Sequence, residues 1–496
     1  MLMNNYVEAI RGGADVRKTL IALREKIKDE EQRRALAYYM AGDFSVFADL
    51  LKHEDPKVRK NAALLLGDME CDDMGQVVWE TYQQEQTLFV KADYIKALSR
   101  MECSDYVPQM KKRMKELTEM VPPVEEEKHI RSEIAQLKNV IMKYDRPSKH
   151  KFIGYEEAHE IILMVNRNQR DATVRQIEEP VKLLAGGVKF TTVRLKEILK
   201  IRTYSEMLFT IGRASGLDGS PERMAEQLIH SDLLDFLFRC HEGQRPFYFR
   251  LELKCTMAQD QKIDLVKKLS AALERYSQGR FLNATTGYEI ELRLVAGRDG
   301  RFVPLLKLFT VPDWRFAYRK ENLATSIQPV NAALIMELAG EYLKEHAQVL
   351  DPFCGTGTML IERHKKCPAR NLYGIDILEE AVEKARFNTE QARMVANYIN
   401  RDFFDFKHEY LFDEIVTNLP AAGKVRDQES VTYLYNRFLD KVPEVVKDGA
   451  IIIAYCPMHE LFTNCLRHRR EYKMLGQYCL NERDQSFMHI LKYQSL

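Results

Sequence analysis

The chain has no long apolar run, no paired cysteines and almost no net charge, and each absence removes a class of protein. No stretch approaches the ~18–20 uninterrupted apolar residues of a membrane-spanning helix, and residues 1–18 lack the basic-then-apolar order of a secretory signal. A cytoplasmic protein without a membrane partner is expected. The nine cysteines (Cys71, Cys103, Cys240, Cys255, Cys354, Cys367, Cys456, Cys465 and Cys479) include no CxxC pair, and no histidines cluster at metal-ligand spacing. Reduced thiols and no metal site are expected. Lys and Arg total 74 against 73 Asp and Glu, so the basic excess of most polyanion-binding domains is missing and any RNA contact must be local. The basic runs Lys111-Lys112-Arg113, His364-Lys365-Lys366 and Arg467-His468-Arg469-Arg470 read first as solvated helix faces.

What is present is enough for more than one core. A chain of 496 residues exceeds the ~250–300 at which single cores stop growing. Early in the sequence Val58-Arg59, Leu66 and Met69 recur as Val90-Lys91, Leu98 and Met101 at constant spacing, which marks a stacked array. Asp55-Pro56 opens the first copy, and an apolar helical run closes at Gly67. A weaker copy runs from Arg33-Arg34-Ala35-Leu36 to Gly42-Asp43. These segments resemble HEAT repeats. Residues 1–120 are therefore expected to stack as paired helices, which either offer a surface to a protein partner or brace the next domain. Residues 121–148 read as a helical linker.

Between 149 and 312 the pattern changes to strands. Phe247–Lys254 alternates apolar and polar residues, a helix is expected over Asp260–Tyr276, and strands over Tyr288–Val295 and Val303–Phe309. From Lys200-Ile201-Arg202-Thr203-Tyr204 onward this α+β module resembles the THUMP-containing RNA methyltransferases. The resemblance implies a grip on the structured end of a tRNA or on another RNA helix.

In 313–496 the segment Ala347–Asp351 is a short apolar strand, and Asp351-Pro352-Phe353-Cys354-Gly355-Thr356-Gly357-Thr358 is a glycine-bearing turn that opens a helix. This strand–turn–helix order suits an α/β Rossmann-like domain that binds a nucleotide-like cofactor. Gly355 and Gly357 allow close backbone approach, and the helix start favours a carboxylate. Asp376, followed by Ile377, ends the next strand, where a carboxylate accepts from a ribose diol; Asp402, followed by Phe403, ends the one after, placed for an adenine amino group. With Ala324-Thr325-Ser326-Ile327-Gln328-Pro329 upstream, the domain resembles THUMP-type RNA guanine N2-methyltransferases of class I. The resemblance implies S-adenosylmethionine as cofactor, with Ser326, Gln328 and Pro329 lining its pocket.

Asn418-Leu419-Pro420-Ala421 ends a further strand, at the edge where such sheets place reacting groups. Family members that methylate exocyclic amines carry Asn or Asp, Pro, Pro and then an aromatic ring. Asn418 and Pro420 keep that pattern and are the expected catalytic positions, Asn418 also bordering the cofactor. Leu419 and Ala421 depart from it, so Tyr433, Tyr435 or Trp314 must supply any stacking ring. Asn-Leu-Pro also resembles the triplet of tRNA guanine N1-methyltransferases. Lys424 and Arg426 are candidate phosphate contacts. The expectation is a methyltransferase acting on guanosine in structured RNA, tRNA or else rRNA, at N2 or N1. The alternatives are a protein acceptor, or an RNA-binding scaffold that keeps only the fold.

Overall fold

In this computed structural model, which describes all residues except 1–2, 14, 121–122, 124, 145–148, 213–215, 298, 423–426 and 496 (and no side chain at 3 or 118–119), the chain forms two units. One comprises Met1–Lys149 with Ala284–Gly287, the other His150–Asn283 with Tyr288–Leu496.

The first unit is helical. Asp55 accepts from the Lys57 N–H at 2.8 Å and Pro56 takes the first helical position, where a missing N–H costs nothing. The helix Pro56–Asp68 buries Val58, Ala62, Leu65 and Leu66; the helix Leu88–Leu98 buries Val90, Ile95 and Leu98. The residues that recur in sequence, Val58 with Val90 and Leu66 with Leu98, are thus core positions in both. The weaker copy is the helix Glu30–Met40, capped by Asp29. Within the expected linker, the helix Glu127–Tyr144 buries Ile130, Leu137, Val140 and Ile141 in the same core. Its Glu133 accepts from the Tyr82 hydroxyl (2.7 Å) and Arg113 Nε (3.0 Å). A face so apolar and so tied is a member of the helical unit, not a tether.

The second unit holds two sheets. The first contains β1 (His159–Val165), β2 (Lys182–Leu183), β3 (Gly187–Thr192), β4 (Tyr204–Thr210), β5 (Phe247–Lys254), β6 (Phe281–Asn283), β7 (Ile290–Ala296) and β8 (Phe302–Leu308), in the order β2-β3-β1-β4-β8-β7-β5-β6. β5 occupies the residues expected of it, and its alternation buries Phe247, Phe249, Leu251 and Leu253. β1 lacks the alternation of β5 because both its faces are covered: Ile161 and Leu163 pack in one apolar cluster and Ile162 in another.

The second sheet contains β9 (Gln348–Asp351), β10 (Asn371–Asp376), β11 (Asn397–Asn400), β12 (Phe412–Asn418), β13 (Val446–Cys456), β14 (Tyr472–Asn481) and β15 (Ser486–Tyr493), in the order β11-β10-β9-β12-β13-β15-β14. The pairs from β11 through β13 are parallel; β15 runs antiparallel to β13. The helix Gln428–Val445 begins where Asp427 accepts from the Ser430 N–H at 2.8 Å and stabilises a polar first turn. Pro443 near its end has no N–H for the Leu439 carbonyl; the Tyr472 hydroxyl donates to that carbonyl instead.

The helix Thr358–Lys366 holds the unit together through two adjacent side chains. Glu362 accepts Arg202 Nε and Nη2 (2.9 and 2.7 Å) and the Tyr318 hydroxyl (2.6 Å), joining the helix to the first-sheet half. Arg363, fully buried, donates to Glu414 of β12 at 2.7 and 2.9 Å and to the Lys344 carbonyl. The C-terminal half of this helix and the start of β12 are therefore fixed to each other.

Candidate active site

β9 is central, paired with β10 (Asp351 beside Gly374) and with β12 (Leu350 beside Ile415), and the loop after it sits at the carboxyl edge. The Cys354 N–H donates to Ile375 (2.9 Å), the Gly357 N–H to Cys354 (2.8 Å), and the Gly355 N–H to Asp376 Oδ2 (2.9 Å). Gly355 and Gly357 have φ of +50° and +80°, a region costly for other residues. Beneath Gly357 stands Tyr398 of β11. A Cβ on Gly374 would meet its ring at 2.6 Å, and one on Gly357 would meet its hydroxyl. That hydroxyl is fixed by Thr389 Oγ1 at 2.7 Å. The loop rests on this ring.

Asn388, fully buried on the helix Glu379–Gln391, holds the loop from the other side. Its Nδ2 donates to the Thr356 carbonyl (3.1 Å) and the Glu321 carbonyl (2.9 Å), while its Oδ1 accepts the N–H groups of Lys320 and Glu321, both at 3.0 Å. Ser326 Oγ lies 3.2 Å from Thr356 Oγ1, so the upstream segment is brought to the loop as the sequence led one to expect. Gln328 caps the helix Pro329–Leu338, where Pro329 is buried. Neither Tyr398 nor Asn388 was legible in the sequence. A lone Asn on a charged helix gives no signal unless its burial is known.

The three acids stand along one edge. Asp351 is fully buried, and burial pushes its carboxyl up to about 7. Its Oδ1 accepts the Phe353 N–H (3.2 Å) and its Oδ2 is buried without a hydrogen-bond partner among the described residues, beside the Thr417 hydroxyl, which opposes the upward shift. Asp376 Oδ1 accepts the Leu378 N–H at 2.9 Å, leaving lone pairs on both oxygens. Asp402 accepts the Phe404 N–H at 3.0 Å. Thr358 Oγ1 is also buried and unpartnered. Burial raises the Cys354 thiol well above its usual range, which makes it a poor nucleophile. Ile377 is exposed, and the Phe403 ring is withdrawn into the core against Phe353 and Phe438, which leaves its backbone as the part that can meet a ligand.

At the end of β12, Asn418 lies beside Tyr455 and its Oδ1 is buried without a partner among the described residues. Leu419 is buried, its N–H donating to Tyr455 at 2.9 Å. The Pro420 carbonyl accepts the Tyr435 hydroxyl at 2.7 Å. Tyr435 is fully buried and so is no stacking ring; Tyr433 and Trp314 are exposed. Arg437 lies 3.8 Å over the Phe404 ring and 5.7 Å from that of Tyr433. Lys424 and Arg426 lie outside the described residues. The basic runs largely serve the fold: Arg113 pairs with Glu133, Lys366 with Glu337 and Arg469 with Asp440. No group of His, Cys, Asp and Glu suited to a metal occurs among the described residues. No helix among them is long and apolar enough to cross a membrane.

Residues 317–481 match the sequence profile of UPF0020, the RMKL-like methyltransferase domain. Among curated proteins, the chain is 36% identical over 168 residues to a ribosomal protein L11 methyltransferase of Paraburkholderia phytofirmans, covering 27% of this chain and 54% of that protein. It is 35% identical over 98 residues to the uncharacterized protein MG259 of Mycoplasma genitalium, covering 19% of this chain and 22% of that one. The chain thus spans about half or less of the relatives it matches. Among solved structures it resembles TrmN from Thermus thermophilus (17% identity, TM-score 0.51) and SMU.472 complexed with SAH (14%, 0.51), each over 68% of this chain and 99% of the other. At these identities the likeness concerns the fold, and it extends beyond the second sheet. The residues present suit the cofactor: Asp351 offers an unpartnered buried oxygen, Gly355 and Gly357 an open backbone, and Asp376 and Asp402 acceptors at the next two strand ends. The C-terminal part of the chain is a class I methyltransferase domain whose methyl donor is S-adenosylmethionine.

Proposed function

We propose that the protein methylates a guanosine in structured RNA, at N2 in preference to N1, with tRNA the favoured substrate and rRNA the other. Asn418 carries this reading. Its side-chain oxygen is buried and unpartnered at the reacting edge of the sheet, where leaving a buried acceptor unmade costs about 1–3 kcal/mol. An N–H of the acceptor amine supplies the missing donor and turns the nitrogen lone pair outward.

The cofactor, when bound, supplies an already activated methyl group. The chain's contribution is position. Asn418 orients the amine, and Tyr435, by holding the Pro420 carbonyl, fixes the turn that follows it. Exposed Tyr433 and the Arg437–Phe404 stack lie on the helix after this turn and beside Asp402, and we assign them the base-stacking role that Ala421 cannot fill. The first-sheet half is read as a THUMP-like RNA grip and the N-terminal helices as a HEAT-like array.

A protein side chain is the second reading, favoured by relatives named for ribosomal protein L11. Mass spectrometry of tRNA and rRNA nucleosides, and of intact ribosomal proteins, from cells with and without the gene separates the two. Loss of a methylguanosine with unchanged protein masses is expected. An unchanged RNA profile with a methyl group missing from a protein would move the acceptor to protein.

A further inference from the structure

Arginine keeps its charge in proteins, so a half-buried guanidinium calls for an anion. Several such groups in this chain have one: Arg24 faces Asp68, Arg59 faces Glu85, Arg202 faces Glu362 and Arg363 faces Glu414. Arg319 has no carboxylate partner among the described residues. One of its Nη atoms donates to Gln328 Oε1 at 3.0 Å, and its Nε is buried with no partner. Burial also holds its pKa below the usual arginine value, the direction expected of a cation without its counter-ion.

The position of this group is set by the cofactor loop. Lys320 and Glu321, the next two residues, are held by Asn388, whose amide also donates to the Thr356 carbonyl. Ser326, just before Gln328, meets the Thr356 hydroxyl. Both ends of the Arg319–Gln328 contact are therefore anchored to one residue of the loop, beside the N-terminus of the helix Thr358–Lys366.

We propose that Arg319 is the counter-ion of the α-carboxylate of S-adenosylmethionine, with Gln328 holding the guanidinium in place. The inference rests on the loop being the cofactor site. It divides the zwitterionic end of the cofactor between two groups on the page: the ammonium to the unpartnered oxygen of Asp351, the carboxylate to Arg319.

The test is calorimetric titration of the full chain and its Arg319→Gln and Arg319→Lys variants with S-adenosylmethionine and with decarboxylated S-adenosylmethionine, which lacks only the carboxylate. Arg319→Gln is expected to weaken S-adenosylmethionine binding about 10–100-fold, as for loss of a charged hydrogen bond. Binding of the decarboxylated compound should be unchanged, and Arg319→Lys should recover part of the loss. Equal losses for both compounds, or none for either, would overturn the proposal. Melting curves of the ligand-free variants matching the parent keep a folding defect apart from a binding one. If the parent chain bound neither compound, the cofactor reading itself would fall, which is a different failure.

Discussion

The donor edge and the acceptor edge of the second sheet are built in opposite ways. Around the loop after β9 most backbone groups are satisfied within the chain: the N–H groups of Cys354, Gly357 and Gly355 on Ile375, Cys354 and Asp376, the Thr356 carbonyl on Asn388, and Gly357 and Gly374 seated on Tyr398. At the end of β12 the backbone is fixed, through Leu419 to Tyr455 and Pro420 to Tyr435, but the Asn418 oxygen is left open. A cofactor with one invariant shape is met by a site held rigid on every side. On the proposed function, the acceptor would meet the open Asn418 oxygen and the exposed Tyr433 ring there.

Both edges belong to one packed unit, and the largest effect is expected where Arg363 ties the C-terminal half of the helix Thr358–Lys366 to Glu414 near the start of β12. Arg363→Met leaves Glu414 buried and unpaired, which should destabilise the fold by about 3–5 kcal/mol. Chemical denaturation measures it, and adding Glu414→Gln should return part of the loss. A variant as stable as the parent would show that the helix is not held to β12 through this pair.

A smaller effect is expected on the donor side alone. Asp376→Ala removes a carboxylate that accepts from Gly355 and Leu378 and, on this account, from the ribose. Calorimetry should show S-adenosylmethionine affinity lowered by about 1.5–3 kcal/mol, and unaltered affinity would contradict the placement of the cofactor.

A third effect, spread over about three pH units, concerns pH. Burial raises the Asp351 carboxyl to about 7, above the ~3.9 of an exposed Asp in the unfolded chain. Between those values the folded chain holds more protons than the unfolded one. Its contribution to stability is therefore fully present below ~4 and lost as pH rises toward 7, at no more than about 1.4 kcal/mol per pH unit. Denaturation of the cofactor-free protein between pH 4 and 8 should show this slope, and Asp351→Asn should flatten it.

The same contrast explains what the sequence made legible. The loop is a local object: an acid, two glycines with positive φ and a helix start lie within eight consecutive residues, and each needs its residue type for a reason visible in isolation. Asp376 and Asp402 follow by strand periodicity. Tyr398 and Asn388 act through space across other elements, so nothing adjacent in sequence marks them. Phe403 and Tyr435 were placed at the site by proximity in sequence, but apolar packing turned both rings into the core. The linker helix failed as an expectation for a similar reason. Its apolar stripe was visible, whereas the core waiting for it, with Tyr82 and Arg113 positioned for Glu133, was not.

The most direct test of the division between the edges is to measure S-adenosylmethionine affinity and methyl transfer for the parent chain and Asn418→Ala, using labelled donor and RNA from cells lacking the gene. Affinity within a few-fold of the parent with transfer reduced about 10²–10³-fold is expected, as for loss of one preorganised polar group at a reacting centre. Transfer at the parental rate by Asn418→Ala would contradict the assignment of that atom to the acceptor.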